Sequence, residues 1–362
     1  MNKRPLVWVG AKLIDPNEPI GFLPSGKAIF PIAGGAVWSP TGSDNTHIDV
    51  VLTNISLGWS NEGLVAEQLF PTVNVQKQSN KYYTFGREAW LPEAGDYRSP
   101  GAEANEIPGM KVSLDTYYTQ EHALQIAIPD EERENTDNPL SPDRDGTELI
   151  TNKVLLGREV AMQKLVTDAT QYASDMTVDL SAGVNTQWDE VNGKPIEDFK
   201  AGRHAMHANV FMEPNTAVVP YQVMSVLEDH TEFIERIKYS ERGILTPEII
   251  AAVIGLPNII IPGSGVATGA DLVPSYLWGK DVLLAWVPPR AGLKIPAFAY
   301  EFVQSIGGAG QVIDRWREDK RVSDVLRVRR RYDLKLVGRE NNPNDPNFGK
   351  VVTGYLIKNA VS

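Results

Sequence analysis

Apolar and polar residues alternate at a two-residue period along several stretches of this chain, most clearly over residues 326–336. Leu326, Val328, Tyr332, Leu334 and Leu336 fall on one face together with Arg330, while Arg327, Arg329, Arg331, Asp333 and Lys335 fall on the other. Successive side chains of a strand point to opposite faces, so this pattern predicts a half-buried strand. Met110, Val112 and Leu114 alternate in the same way with Lys111, Ser113 and Asp115, and the alternation runs on through Leu124, Ile126 and Ile128. With an outgoing strand over 81–90, this predicts a long hairpin over 81–128. Its tip, 91–109, carries Pro92, Gly95, Pro100, Gly101 and Pro108. Two strands alone are only marginally stable in water, so the hairpin is expected to lean on a neighbouring subunit.

Helical periodicity appears next. Ile150, Val154, Gly157, Ala161, Leu165 and Tyr172 predict a long helix over 147–173, opened by a capping box of Asp145 and Glu148. Residues 130–148 read as a solvated acidic connector, and Asp143-Arg-Asp-Gly146 lacks the further ligands of a calcium loop. A second region begins near Ile196. Pro220 sits in a first helical turn, with Val223, Val226, Leu227 and His230 following at helical spacing. Thr246-Pro247-Glu248 opens another helix, which Gly255 closes. Residues 258–262, 282–287 and 351–357 read as apolar strands. Short strands interleaved with helices predict a compact α/β or α+β domain. The first fifty residues, with prolines at 16, 19, 24, 31 and 40, suit neither a long helix nor a central strand and are expected to form an arm.

Composition narrows the function. A charge of −11 argues against a dedicated nucleic-acid binder that relies on counterion release, and leaves room for weak contact with enclosed DNA. The absence of cysteine favours a reducing compartment. No apolar run reaches bilayer length, and Lys12 and Asp15 cut short the signal-like start, so a soluble chain, intracellular until released and without a membrane partner, is expected.

Candidate chemistry is sparse. Gly263-Ser-Gly265-Val-Ala-Thr-Gly269 places its third glycine one residue late for a dinucleotide loop, so a turn is expected. Gly307-Gly-Ala-Gly310 lacks the lysine and hydroxyl of a phosphate loop. His204 and His207 share one helical face, but zinc hydrolysis needs a third ligand and a placed glutamate. A metal-dependent hydrolase on that pair is the enzymatic alternative, against ordinary histidines. No catalytic residue, cofactor site or metal ligand is assigned, and the chain reads as a non-enzyme. Arg327, Arg329 and Arg331 could meet phosphate. The overall negative charge favours an ion-pair face, between subunits or within the chain, matched by the acids of 130–148 and of the hairpin tip. Trp278, Trp286 and Trp316 read as core or interface anchors.

The order of parts carries more than any single motif. Leu64-Val-Ala-Glu-Gln-Leu-Phe-Pro71 is a short helix stopped by proline, followed by an extended segment with paired Tyr82 and Tyr83. The long hairpin, the acidic exit Ile128-Pro-Asp-Glu-Glu-Arg133, a long helix, an α/β region and a closing Tyr355-Leu-Ile-Lys-Asn-Ala360 come after. Over about residues 50–360 this resembles the major capsid proteins of tailed bacteriophages, with the Hong Kong 97-like fold. The resemblance implies an α+β fold with an N-terminal arm and short helix over 1–72 and an E-loop hairpin over 73–130. A P domain over 131–208 would hold the spine helix, followed by an A domain over 209–314 and returning P-domain strands over 315–362. It further implies self-assembly into pentamers and hexamers of an icosahedral shell around the phage genome, in the virion after assembly in the host cytoplasm.

The implied partners are other copies of the chain, packaged double-stranded DNA by weak non-specific contact, and scaffolding, portal and decoration proteins. With no long charged helical extension at the N-terminus, a separate scaffolding protein or a processed precursor is expected. The candidate assembly contacts are Glu93, Asp96, Arg98, Glu103 and Glu106 at the hairpin tip, with Arg327, Arg329 and Arg331. Lys81 and Lys111 lie on the strands and none at the tip, so the lysine cross-link of some family members is not carried over. An encapsulin-like protein nanocompartment is the alternative shell.

Overall fold

The computed structural model describes residues 7–9, 12–14, 21–22, 28–29, 63–84, 103, 113–137, 140–182, 186–238, 245–268, 273–291, 297–305, 310–341 and 344–362. They fall into two units, Met1–Gly58 and Trp59–Ser362. In the first, β1 (Val7–Val9) pairs antiparallel with β2 (Lys12–Ile14), and β3 (Gly21–Phe22) with β4 (Ala28–Ile29). Strands this short are what the proline spacing allows.

Among the described residues, the second unit holds two five-stranded sheets and two two-stranded hairpins. Its strands are, in chain order, β5 (Thr72–Val75), β6 (Ser79–Thr84), β7 (Ser113–Tyr118), β8 (Gln120–Pro129), β9 (Thr177–Asp179), β10 (Thr216–Val218) and β11 (Asn258–Ile260). β12 (Gly265–Thr268), β13 (Val273–Tyr276), β14 (Val282–Ala285), β15 (Ala299–Gln304), β16 (Gln311–Glu318), β17 (Ser323–Leu336) and β18 (Gly354–Lys358) complete them.

β17 organises the first sheet. β8 pairs along one edge of it, β16 and then β15 along the other, and β5 adds parallel to β15. The alternation read from the sequence holds: Leu326, Val328, Tyr332 and Leu336 are buried. The long helix crosses that face, where Ile150 and Val154 pack against Ile128, Leu326 and Val328.

This helix spans Pro142–Val166, not 147–173. Ser141 is extended at the N-cap position and Pro142 follows, its fixed φ and missing N–H both suited to a first helical residue. The Ser141 N–H donates to Asp145 Oδ2 at 3.0 Å. Residues 142–146 are therefore the first turns of the helix and not a solvated connector, and Asp130–Glu134 is a short helix of its own. Tyr172 lies beyond a 3-10 turn at Ala169–Gln171, its hydroxyl donating to the Val166 carbonyl at 2.7 Å.

The buried stripe also differs from the expected one. It runs Gly146, Ile150, Val154, Arg158, Met162 and Val166, with Glu159 alongside, and Gly157 and Ala161 face solvent. An i+4 series turns only slowly around a helix, so it stays on one face for several turns, and here that face includes a charge. Arg158, 2 % exposed, is bound by Glu301 Oε2 at 3.4 Å and by Glu67 Oε1 at 3.3 Å. Arg330 meets the other oxygen of Glu301 at 2.9 Å. Burying such ions is tolerable only when each is paired.

The second sheet has the order β11-β10-β14-β18-β9, parallel at both ends and antiparallel within. All four residues of β14 are buried, as its uninterrupted apolar run predicts. Helices Pro195–Val210, Tyr221–Asp229, Thr231–Ile237 and Pro247–Ile254 accompany this sheet. The last ends at Gly255, φ 77°, where an added Cβ would stand 2.6 Å from the Arg203 guanidinium that caps Ile254. The main core joins both sheets: Met162 and Val166 of the long helix, Ala299 and Leu336 of the first sheet, and β14 and β18 of the second share one cluster.

The hairpin base, β6 with β7, packs against its own chain. Tyr117 stacks on Phe302 at 4.8 Å between ring centroids, and Tyr82 meets the same ring at 5.1 Å. At Thr119 the chain turns a corner, the hydroxyl bonded to the Gln78 carbonyl and Gln304, and the later alternation at Leu124, Ile126 and Ile128 belongs to β8 in the first sheet. The hairpin tip lies outside the described residues, Glu103 excepted.

Glu301→Ala leaves Arg158 and Arg330 buried without their shared carboxylate. It should lower unfolding free energy by about 3–5 kcal/mol, measured by chemical denaturation of the full chain. A loss below about 1 kcal/mol would show that the pair is solvated and not structural.

Candidate assembly surface

Opposite the helix, the polar face of β17 presents Arg327, Arg329, Arg331 and Lys335. Cross-strand register sets Asp314 of β16 beside Arg327 and Glu121 of β8 beside Arg331. Arg327 and Arg329 both bind Asp314, at 2.9 and 3.0 Å. Arg331 binds Glu121 at 2.7 Å, with Arg329 3.9 Å from the same carboxylate. The result is a ladder of alternating charge across three strands. Lys335 lies 3.8 Å from Asp333, and the Arg327 guanidinium stands 4.9 Å from the ring of partly exposed Trp316. Four cations thus meet three acids, close to balance. The hydrogen bonds from Arg329 and Arg327 hold the Asp314 carboxyl below its ordinary range.

Among the described residues, the acids that bind these arginines come from β8 and β16 and not from 130–148. Two of the 130–148 acids, Asp130 and Asp143, are engaged nearby. Arg317 grips Asp130 with two bonds of 2.6 and 2.7 Å, Arg133 binds Asp143 at 2.7 Å and Asp324 at 3.1 Å, and Arg315 binds Asp324 at 2.6 Å. This cluster ties the exit of β8 and the start of the long helix to the β16–β17 turn. Arg317 depresses the Asp130 carboxyl, and Arg315, followed by Arg133, depresses that of Asp324. On the helix-facing side, burial and the nearby Glu301 push Tyr332 up to about 12.

Other candidates separate from this surface. Glu103 is exposed, and Glu93, Asp96, Arg98 and Glu106 lie outside the described residues. His204 and His207 are exposed on their helix, and among the described residues no three His, Asp or Glu side chains could hold a metal. Gly265 to Thr268 of the glycine-rich stretch form β12, Gly269 lies outside the described residues, and Gly63, φ 84°, approaches so closely that a Cβ on it would stand 2.6 Å from the Gly263 nitrogen. Trp278 is buried; its indole N–H donates to Glu159 Oε1 at 3.0 Å. The charges that sequence reasoning missed are Arg158, Glu159 and Glu301. The available signal was the position of Arg158 in an i+4 series with Ile150, Val154 and Met162.

No protein-family model matches the chain. Over 249 residues it is 26 % identical to the major capsid protein of Burkholderia phage BcepMu, covering 68 % of this chain and 78 % of that one. Over 190 residues it is 27 % identical to the major capsid protein of Pseudomonas phage JBD67, covering 52 % and 59 %. Among solved structures, a phage-related protein from Bordetella bronchiseptica superposes with a TM-score of 0.62 at 24 % identity, over 86 % of this chain and 97 % of that one. The capsid of a native GTA particle gives 0.52 at 12 % identity, over 90 % and 96 %. The α+β architecture is therefore the Hong Kong 97-like capsid fold. The chain is homologous to these phage major capsid proteins.

Asp130, Asp314 and Asp324 have native carboxyls held below the ordinary value of 3.8. Their ion pairs therefore stabilise the fold above that value, and the contribution is lost as pH falls below about 4. Asp324→Asn should lower Tm at pH 7, and the gap to the unmodified chain should close as the pH is taken to 3, followed by circular dichroism. A gap independent of pH would remove the electrostatic reading.

Proposed function

We propose that this chain is the major capsid subunit of a tailed phage, resident in the virion. It closes, as pentamers and hexamers, an icosahedral shell around double-stranded DNA and catalyses no reaction. The observation that carries this reading is the alignment of 249 residues with a phage major capsid protein, and the shared fold supports it. The division into an arm over 1–72, an E-loop over 73–130, a P domain over 131–208 and 315–362 and an A domain over 209–314 belongs to the same proposal. So do assembly in the host cytoplasm and scaffolding, portal and decoration proteins as partners.

The near-balance of charge on the β17 face favours protein contact over a grip on DNA, which would need unpaired cations. Arg327, Arg329 and Arg331 first hold their own sheet, and the excess cation of that face suits an acidic neighbour. At the hairpin tip Glu93, Asp96, Glu103 and Glu106 outnumber Arg98, which suits a basic one. Each exposed pair gives only about 0–1 kcal/mol, but a closed shell repeats it on every subunit.

Electron microscopy of the chain co-expressed with its scaffolding partner should show closed shells of uniform diameter. A preparation holding only monomers or dimers would overturn the proposal. Particles from infected cells should also protect double-stranded DNA from nuclease, and protein cargo in its place would favour a nanocompartment.

Replacing residues 95–105 by a short Gly-Ser link should leave circular dichroism and subunit Tm nearly unchanged while closed shells disappear. A variant that no longer folds would place the tip in the subunit core.

A further inference from the structure

Two adjacent residues of the long helix grip the same turn of chain. Glu159 is fully buried; its Oε1 accepts from the Val65 N–H at 3.0 Å and from the Trp278 indole at 3.0 Å, and its Oε2 accepts from the Ala66 N–H at 2.9 Å. Arg158 reaches the side chain of Glu67 at 3.3 Å. The turn they hold is the helix Ala66–Leu69, four residues long, and far too short to be stable alone. It lies near the start of the Trp59–Ser362 unit. A buried carboxylate costs several kcal/mol unless its hydrogen bonds are made, so the clamp is either closed or strongly disfavoured.

We propose that Glu159, backed by Arg158, is the positioning residue that fixes the Ala66–Leu69 helix on the long helix, and that shell closure requires this helix to be fixed. The second half rests on the shell reading above; the first does not. All three partners of Glu159 are donors. An amide at this position has nearly the same shape but must turn an NH2 group towards an N–H, so Glu159→Gln tests the charge and the hydrogen-bond polarity without making a cavity. Leu69 and Phe70 stay buried by their own packing, so release should be local.

The test compares hydrogen exchange, Trp emission and particle yield in the full chain and in Glu159→Gln. Exchange at the Val65 and Ala66 amides should quicken by about tenfold or more, because each loses a buried charged acceptor. Emission should change as Trp278 loses its partner, β14 and β18 should keep their protection, and the yield of closed particles should fall by about tenfold or more. Unchanged protection at Val65 and Ala66 would overturn the clamp. Lost protection with normal particle yield would overturn its role in assembly.

If Glu159→Gln does not fold, Glu67→Gln serves, since that side chain is largely exposed and its loss opens only the outer half of the clamp. A smaller gain in exchange with fewer particles is then expected, and no change in either would overturn the proposal. Should the unmodified chain form no shells, the shell reading fails, while the exchange comparison still decides the clamp.

Discussion

The subunit depends on charge buried inside it. Arg158, Glu301 and Arg330 meet where the long helix crosses the first sheet, and Glu159 sits one residue on, towards the second. Apolar contacts slide past one another at little cost. Buried ions do not, because moving one leaves a partner unpaired in a medium that solvates it poorly. The helix is thereby held at one height and rotation over β17, with Ile150 and Val154 over one end of the sheet and Met162 and Val166 in the core shared with the other. Register, and not bulk stability, is what this arrangement supplies.

From that register the outer parts follow. β17 offers one edge to β8 and the other to β16 and β15, so a single long strand sets the directions of the hairpin exit and the β16–β17 turn. The six-residue Arg–Asp cluster closes that end, and the β17 ladder stitches the solvent-facing side. The aromatic cluster around Phe302 fixes the hairpin base on its own subunit. For the proposed shell role a firmly held hairpin base matters, since flexibility there would be multiplied around a closed shell.

Much of this was legible in the chain. Alternation gave β17 its faces, and proline with an early acid marked the helix at 247, with glycine at its end. The order of short helix, paired tyrosines, hairpin and long helix pointed to the capsid fold. The bounds and buried face of the long helix were not legible, because charge normally marks the solvent side. Arg158 inverts that rule through Glu301, 143 residues away, and Glu67, 91 residues away. Likewise the acids that answer Arg327, Arg329 and Arg331 could not be chosen among 46 candidates until strand register placed Asp314 and Glu121 beside them.

By itself, then, the sequence determined several elements, among them β14, β17 and the helix at 247, and which face of β17 is apolar, because backbone propensity and the two-residue and 3.6-residue periods are local properties. Tertiary structure decided which charges are buried and which acid answers which base. It also decided that the hairpin base rests on Phe302 of its own chain. Those are contacts between residues far apart in sequence, and no local pattern encodes the register that brings them together.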